Sequence, residues 1–436
     1  MNPEKFLNSL VNYEKIQGYN YNLKNYKKFL EIVDSPQNKL KNVILIGGTK
    51  GKGSVTAILN SCLIANGYKV GLYTSPHLKR VNERIRVNNI NISKKDLEKY
   101  IKQIKPYVKK EKGIRTFFEV LTTIAFLHFF KEKTDFTVLE VGLGGRLDAT
   151  NVTSPLMSTI TKIGYDHMVS LGNRLSQIAF EKAGIIKRRG RLISVHQRPS
   201  AERILKKITN LRESFLIFAE DQHKIKVIEE SIMGSRLKIK GELGKFEVFL
   251  PLVGRHQIQN LSLALAMLSE LKKMGFKINI SSIKKGIRKT ELHGRFEIIS
   301  PKSHALREQA KRPLIIYDCA HNQDSFEALD KNLKLLRPKK FSLIFGCKKN
   351  KNIKYCLQNI FPKAKEVVIV QAKDPPGMEP IDIYEMAKRY QKNLIIAPSV
   401  KRAIEYLKAK ANNNSAIIIT GSFYLWPEIS INFSRY

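Results

Sequence analysis

Cysteine is scarce. The 436 residues hold four, Cys62, Cys319, Cys347 and Cys356, and no two are spaced as a metal pair. That argues against a disulfide framework or a zinc module, and the thiols read as reduced and structural. Long apolar runs are also missing. The most apolar stretch, residues 117–130, contains Glu119 and His128 and is too short to cross a bilayer. The opening Met1-Asn2-Pro3-Glu4-Lys5 lacks the pattern of a signal peptide. A cytoplasmic chain with no membrane partner is therefore expected. Negative charge is in short supply: 38 Asp and Glu face 77 Lys and Arg, a net charge of +39. Such an excess attracts nucleic acid or anionic substrates, or reflects a biased proteome. The lysines are spread along the whole chain, and aromatic residues do not interleave with them as on a base-stacking surface. No nucleic-acid partner is expected on that ground. Internal repeats are absent as well.

What is present is organised around residues 43–54. Val43-Ile44-Leu45-Ile46 reads as a buried strand, followed by Gly47-Gly48-Thr49-Lys50-Gly51-Lys52-Gly53-Ser54. Residues 55–66 then carry apolar side chains at helical spacing. Strand, glycine loop and helix make a phosphate cradle: glycines let the backbone close on a ligand, and the helix N-terminus adds positive potential. Lys52 supplies a point charge to β- and γ-phosphates, and the Ser54 hydroxyl is in reach of Mg²⁺. The spacing departs from the general P-loop pattern. Only Thr49 and Lys50 separate Gly48 from Gly51, and Gly53 stands between Lys52 and Ser54.

With 436 residues and 43% apolar content, two domains are expected. Residues 1–40 read as helical and polar. A second strand over 67–73 runs into Thr74-Ser75-Pro76-His77-Leu78, and residues 79–86 form a basic loop or strand that either holds an anionic substrate or is a solvated face. Two helices are expected over 94–133. A third strand, 136–141, ends in Glu140 and enters the loop 142–151; a carboxylate at a strand's carboxyl end beside a phosphate loop suits Mg²⁺. A strand over 157–163 leads to Gly164-Tyr165-Asp166-His167, placed beside the 136–141 strand. A short helix over 177–185 stops at glycine. Residues 191–250 give weaker signals. After a hinge at 293–297, strands at 314–318, 341–347, 366–371, 394–397 and 416–420 alternate with helices, and Asn412-Asn413-Asn414 reads as a short polar linker. The fold class is α/β. A P-loop ATPase domain with a mainly parallel sheet is expected over 1–294, and a smaller Rossmann-like α/β domain over 295–436.

Together, the motifs 48–54, 74–78, 140–151, Asp166-His167 and Glu181-Lys182-Ala183-Gly184, in this order, resemble folylpolyglutamate synthase/dihydrofolate synthase of the Mur ligase superfamily. The resemblance runs over residues 19–424. It implies an ATP-dependent amide ligase, a monomer, that joins L-glutamate to a folate or dihydropteroate carboxylate through an acyl phosphate. It implies ATP contacts from Gly48, Thr49, Gly51, Lys52, Gly53, Ser54, Asn260, Arg295 and Asp318. Ser54, Ser75, Glu140 and His167 are implied to hold Mg²⁺. His321, with Asn322, falls in a motif near the glutamate, and Lys182 matches a lysine that is carbamylated in relatives. Lys52, Lys182 and His321 are the implied catalytic groups. There are departures. Lys50 stands where asparagine is usual, Cys319 and Gln323 replace glycine and proline, and Leu292-His293-Gly294-Arg295 lacks the usual proline before glycine. Two other readings remain: a Mur-type ligase that adds an amino acid to a cell-wall nucleotide, and a P-loop protein that binds nucleic acid.

Overall fold

The computed structural model describes residues 3–12, 22–110, 116–299, 313–336, 340–349, 351–373, 377–411 and 415–433. The linker expected at Asn412-Asn413-Asn414 lies outside them. The chain divides into two compact units. One holds residues 1–228, 236–250 and 255–290; the other holds 229–235, 251–254 and 291–436.

The first unit is built on an eight-stranded sheet. Its strands are β1 (Val43–Gly47), β2 (Val70–Tyr73), β3 (Ile85–Val87), β4 (Ile90–Asn91), β5 (Phe136–Glu140), β6 (Met157–Ile160), β7 (Arg191–Ser194) and β8 (Phe215–Phe218). They lie in the order β4-β3-β2-β5-β1-β6-β7-β8. The pairs from β2 to β8 are parallel, and β3 and β4 add antiparallel at one edge. Every residue of β1 is buried, as continuous apolar runs in a sheet covered on both faces must be. The strands 136–140 and 157–160 are not side by side as expected: β1 lies between them. Pairing of strands distant in sequence carries no local signal, so the sheet order was not readable from the motifs.

The polar segment 22–40 nonetheless carries an apolar face. The helix Leu23–Ile32, capped by the Asn22 side chain, buries Tyr26, Phe29 and Leu30 on one face. Tyr26 donates its hydroxyl to the carbonyl of Glu119. The helix Phe117–Lys131 is apolar nearly all round and correspondingly buried. A capping box starts it: Thr116 Oγ1 accepts from the Glu119 amide at 3.1 Å, and a Glu119 carboxylate oxygen accepts from the Thr116 amide at 2.8 Å. The weak-signal region resolves into a three-stranded sheet, β9 (His223–Ser231), β10 (Gly234–Gly241) and β11 (Gly244–Leu250).

The second unit carries a six-stranded sheet. Its strands are β12 (Glu297–Ile298), β13 (Leu314–Asp318), β14 (Phe341–Phe345), β15 (Ala364–Ile369), β16 (Leu394–Ile396) and β17 (Ala416–Thr420). The order is β12-β13-β17-β14-β15-β16, parallel except for β12. Two apolar clusters pack against its faces, one led by Phe326, Phe345 and Phe361, the other by Tyr317, Ile344 and Ile419. No described helix is long and apolar enough to cross a membrane.

Candidate functional site

In the first unit the carboxyl ends of β5, β1 and β6 come together, and the glycine loop leaves β1 there. The helix begins at Lys52, three residues earlier than its apolar periodicity shows, because Gly51 caps it in the left-handed region (φ 95°). A side chain on Gly48 (φ 131°) would meet Thr161 Oγ1 at 1.9 Å, and one on Gly51 would meet Asn260 Oδ1 at 2.2 Å. The loop therefore lies against Thr161 and against Asn260, which projects from the helix His256–Lys273. Asn260 is held by donating to Gln257 Oε1 at 2.8 Å.

The loop's amides divide into two sets. Those of Thr49 and Lys50 both donate to the Lys162 carbonyl, so they are not turned toward a ligand as a uniform cradle would require. Those of Lys52, Gly53 and Ser54 precede the first intrahelical bond, from the Val55 amide to the Gly51 carbonyl. They are the amides suited to a phosphate, and the N-cap residue, Gly51, has no side chain to cap them.

Two lysines converge on the same loop. Lys52 Nζ donates to the Gly48 carbonyl at 3.2 Å, and Lys182 Nζ donates to it at 2.9 Å. Lys182 is buried. Burial, with the Lys52 charge next, lowers its pKa to about 7. Burial also lowers that of Lys52, against the pull of Glu140 and Asp166. The loop 142–151 fixes Lys182 from below. Buried Asp148 ties this loop by accepting from the amides of Gly142, Leu143 and Thr150. Its Arg146 forms an ion pair with Glu181 at 2.9 Å and donates its amide to the Glu181 carbonyl. Lys182 thus sits at the end of the helix Leu175–Ala183, locked onto that loop.

Ser75 and Glu140 are brought together: the Ser75 amide donates to Glu140 Oε2 at 3.3 Å, and the carboxylate is buried. Ser54 is buried on the first helical turn. His167 stands apart from a strand end. It is seven residues beyond β6, has a left-handed backbone (φ 50°), and its side chain is 58% exposed. Lys50 does not add a bare charge to the loop, because it pairs with Asp166 at 3.0 Å. The basic segment 79–86 is not a solvated face throughout. Glu83 accepts from the amides of Leu78, Lys79 and Arg80, while buried Arg84 donates to His77 Nδ1 and lies over the Phe117 ring. Among the described residues no three His, Cys, Asp or Glu side chains converge as a metal cluster.

In the second unit Asp318, at the end of β13, accepts from the amides of Phe296 and Ala320, each at 2.8 Å. It holds the turn around Arg295. Burial raises its pKa, and Arg295 opposes the rise. His321 Nδ1 lies 2.8 Å from the Cys319 carbonyl, which can only accept, so that nitrogen carries the proton. Arg295 and the His321 ring both pack on Phe423, at 5.3 Å each. Asn322 caps the helix Gln323–Leu333.

Residues 46–268 match the model of the Mur ligase middle domain, and residues 294–423 that of the Mur ligase glutamate ligase domain. The dihydrofolate synthase/folylpolyglutamate synthase of Bacillus subtilis is 31% identical over 92% of this chain and 93% of its own. This chain belongs to the folylpolyglutamate synthase/dihydrofolate synthase family. The folylpolyglutamate synthase of Thermotoga maritima is 31% identical, with a TM-score of 0.84 over 99% of this chain and 97% of that one. E. coli FolC, solved in complex with DHPP and ADP, is 26% identical, with a TM-score of 0.84 over 100% and 99%.

As a member of this family the chain is an ATP-dependent ligase, and sequence reasoning missed several residues of its site. Thr161, whose buried hydroxyl has no hydrogen-bond partner among the described residues, faces Gly48. Nothing in a lone threonine after a strand marks it. Asp148 lies inside the motif 140–151 and Phe423 just beyond the strand 416–420, but their roles depend on contacts that spacing does not reveal. The four cysteines are free and buried, as expected.

Proposed function

We propose that this chain joins the α-amine of L-glutamate to the carboxylate of dihydropteroate, of a reduced folate, or of both. ATP is bound at residues 48–54. The substrate carboxylate attacks the γ-phosphorus, releasing ADP and forming an acyl phosphate. The glutamate amine then attacks the acyl carbon; inorganic phosphate leaves, and the amine loses a proton. The observation that carries this reading is the convergence of Lys52 and Lys182 on the Gly48 carbonyl, beside the uncapped amides of Lys52, Gly53 and Ser54. Phosphoryl transfer needs such positioning and charge neutralisation more than covalent chemistry. The relative solved with DHPP and ADP supports the same substrates here.

The donor set fits Mg²⁺. A buried carboxylate, Glu140, beside Ser75, with the Ser54 hydroxyl on the loop, is a sparse oxygen set of the kind completed by water and phosphate oxygens. His167 is the fourth residue assigned to it. When bound, the ion would neutralise charge on the phosphates. Glu140→Ala should raise the Mg²⁺ concentration needed for half-maximal rate; an unchanged titration would refute its place in the set. Asn260, Arg295 and Asp318 are assigned to ATP and His321 to the glutamate end, Asp318 acting through Arg295. We place the enzyme in the cytoplasm, where its thiols stay reduced, and take it to be a monomer with domains 1–294 and 295–436. The deciding experiment is ATP turnover with glutamate and either dihydropteroate or tetrahydrofolate, followed by product mass. ADP should form in step with a product heavier by one glutamyl unit. ATP hydrolysis indifferent to both pterins would overturn the reading.

A further inference from the structure

We propose that Lys50 is a positioning residue: it grips the Asp166 carboxylate and, through it, orients His167 toward the metal and phosphates of bound nucleotide. The inference rests on the nucleotide site proposed above. It starts from how the glycine loop is stitched to the segment that follows β6. The Thr49 and Lys50 amides donate to the Lys162 carbonyl. Thr49 Oγ1 exchanges hydrogen bonds with Gly164, accepting from its amide at 3.1 Å and donating to its carbonyl at 3.2 Å. The Lys50–Asp166 pair, 3.0 Å long, extends the stitching two residues further, to the residue before His167.

Asp166 uses its two oxygens differently. Oδ2 takes the Lys50 ammonium. Oδ1 accepts from the His167 amide at 3.1 Å and lies 3.9 Å from His167 Nε2. One planar carboxylate therefore ties the glycine loop to the backbone of His167, and so to the direction in which its ring leaves the chain. His167 needs such a hold. It adopts left-handed backbone at φ 50°, which a non-glycine residue keeps only where its surroundings fix it, and its ring is largely exposed. The pair is about a third exposed on each side, 31% and 30%, so it stays accessible to phosphates without being a purely solvated ion pair.

The alternative is that Lys50 contacts the phosphates directly, as a third ammonium beside Lys52 and Lys182. The two roles separate in a double-mutant cycle on Lys50→Asn and Asp166→Asn, with Lys50→Arg as the conservative variant and Lys50→Gln as a second truncation. The readouts are ADP affinity by calorimetry with and without Mg²⁺, Mn²⁺ binding to the ADP complex by electron paramagnetic resonance, and thermal midpoint as a folding check. If Lys50 positions His167, Lys50→Asn weakens metal binding in the ADP complex by about 10- to 100-fold, the usual cost of losing an outer partner. Metal-free ADP binding stays within about twofold, Lys50→Arg recovers most of the loss, and the double variant is no worse than either single one. Additive losses overturn the proposal, as does an equal loss of ADP affinity with and without metal, or no loss at all. These binding readouts do not depend on turnover. A wild-type protein that binds metal and ADP but ignores pterins would sink the ligase reading and leave this one to be judged by its own cycle.

Discussion

At the scale of single residues, the candidate site turns on two lysine side chains, Lys182 buried and Lys52 half-buried, that share one carbonyl. Lys52→Ala removes the charge we assign to the β- and γ-phosphates and should lower turnover on the order of 10²-fold. Steady-state kinetics within a few-fold of wild type would end that assignment. Lys182 is the more unusual group. Its pKa is about 7, lowered chiefly by burial and then by Lys52. At neutral pH far more of it is free amine than for an ordinary lysine near 10.4. Only free amine reacts with CO₂ to give a carbamate, an anionic oxygen ligand of the kind Mg²⁺ prefers. The sign is definite: protonation blocks the adduct, so its formation is lost as pH falls through 7 and saturates above it. Enzyme stripped of CO₂ should regain activity at a rate that follows this titration when dissolved CO₂ is held constant. A rate still climbing steeply between pH 8 and 10 would mean an ordinary lysine, and full activity in Lys182→Arg would exclude the carbamate. Lys52→Ala should also shift the titration upward, because the neighbouring charge that depresses it has gone.

At the scale of elements, legibility followed burial. The bounds read for β13 and β17, residues 314–318 and 416–420, coincide with the observed ones, because strands buried on both faces are unbroken apolar runs. The helix after the glycine loop was read three residues short. Its first turn, Lys52-Gly53-Ser54, has no apolar periodicity, and its start is set by the left-handed Gly51. The sheet β9–β11 was passed over because it has no continuous apolar run: β10 and β11 alternate mostly in and out, a period-two pattern that marks half-buried strands, and β9 buries little beyond His223. The site was legible as a set of motifs but not as a geometry. Lys182 and Gly48 are 134 residues apart, and nothing local says that they touch. The loop's dependence on glycine can be measured. Gly51→Ala meets both a left-handed backbone and Asn260 at 2.2 Å, whereas Gly67→Ala, at φ 92°, meets nothing within 4 Å. Both should lose about 1 kcal/mol or more from backbone strain. Only Gly51→Ala should also weaken ADP binding, by displacing Asn260. Equal ADP affinity in the two variants would separate Asn260 from the nucleotide.

At the scale of the whole molecule, the unresolved feature of the sequence is its charge of +39. Several acids in the structure already serve two cations each. Glu213 meets Arg188 and Arg189, and Glu270 meets Arg191 and Lys273. Exposed pairs like the first contribute little, about 0–1 kcal/mol, and they leave the excess of lysines uncompensated. Self-repulsion among these charges should oppose both compaction and self-association. Salt should therefore raise the thermal midpoint, since the screening length shrinks from about 30 Å at 0.01 M to about 8 Å at 0.15 M. The same field will draw in any polyanion at low salt, which makes DNA retention in dilute buffer uninformative. The discriminating measurement is fluorescence anisotropy of a labelled duplex and a labelled single strand across a salt series. A field without a built interface should give dissociation constants no tighter than about 10⁻⁶ M at physiological salt, similar for every sequence and falling away steeply as salt rises. ATP turnover should not respond to the nucleic acid. Sub-micromolar, sequence-dependent binding at 0.15 M salt, or ATP hydrolysis stimulated by the strand, would instead assign the charge to nucleic-acid recognition, a second function carried on the ligase fold.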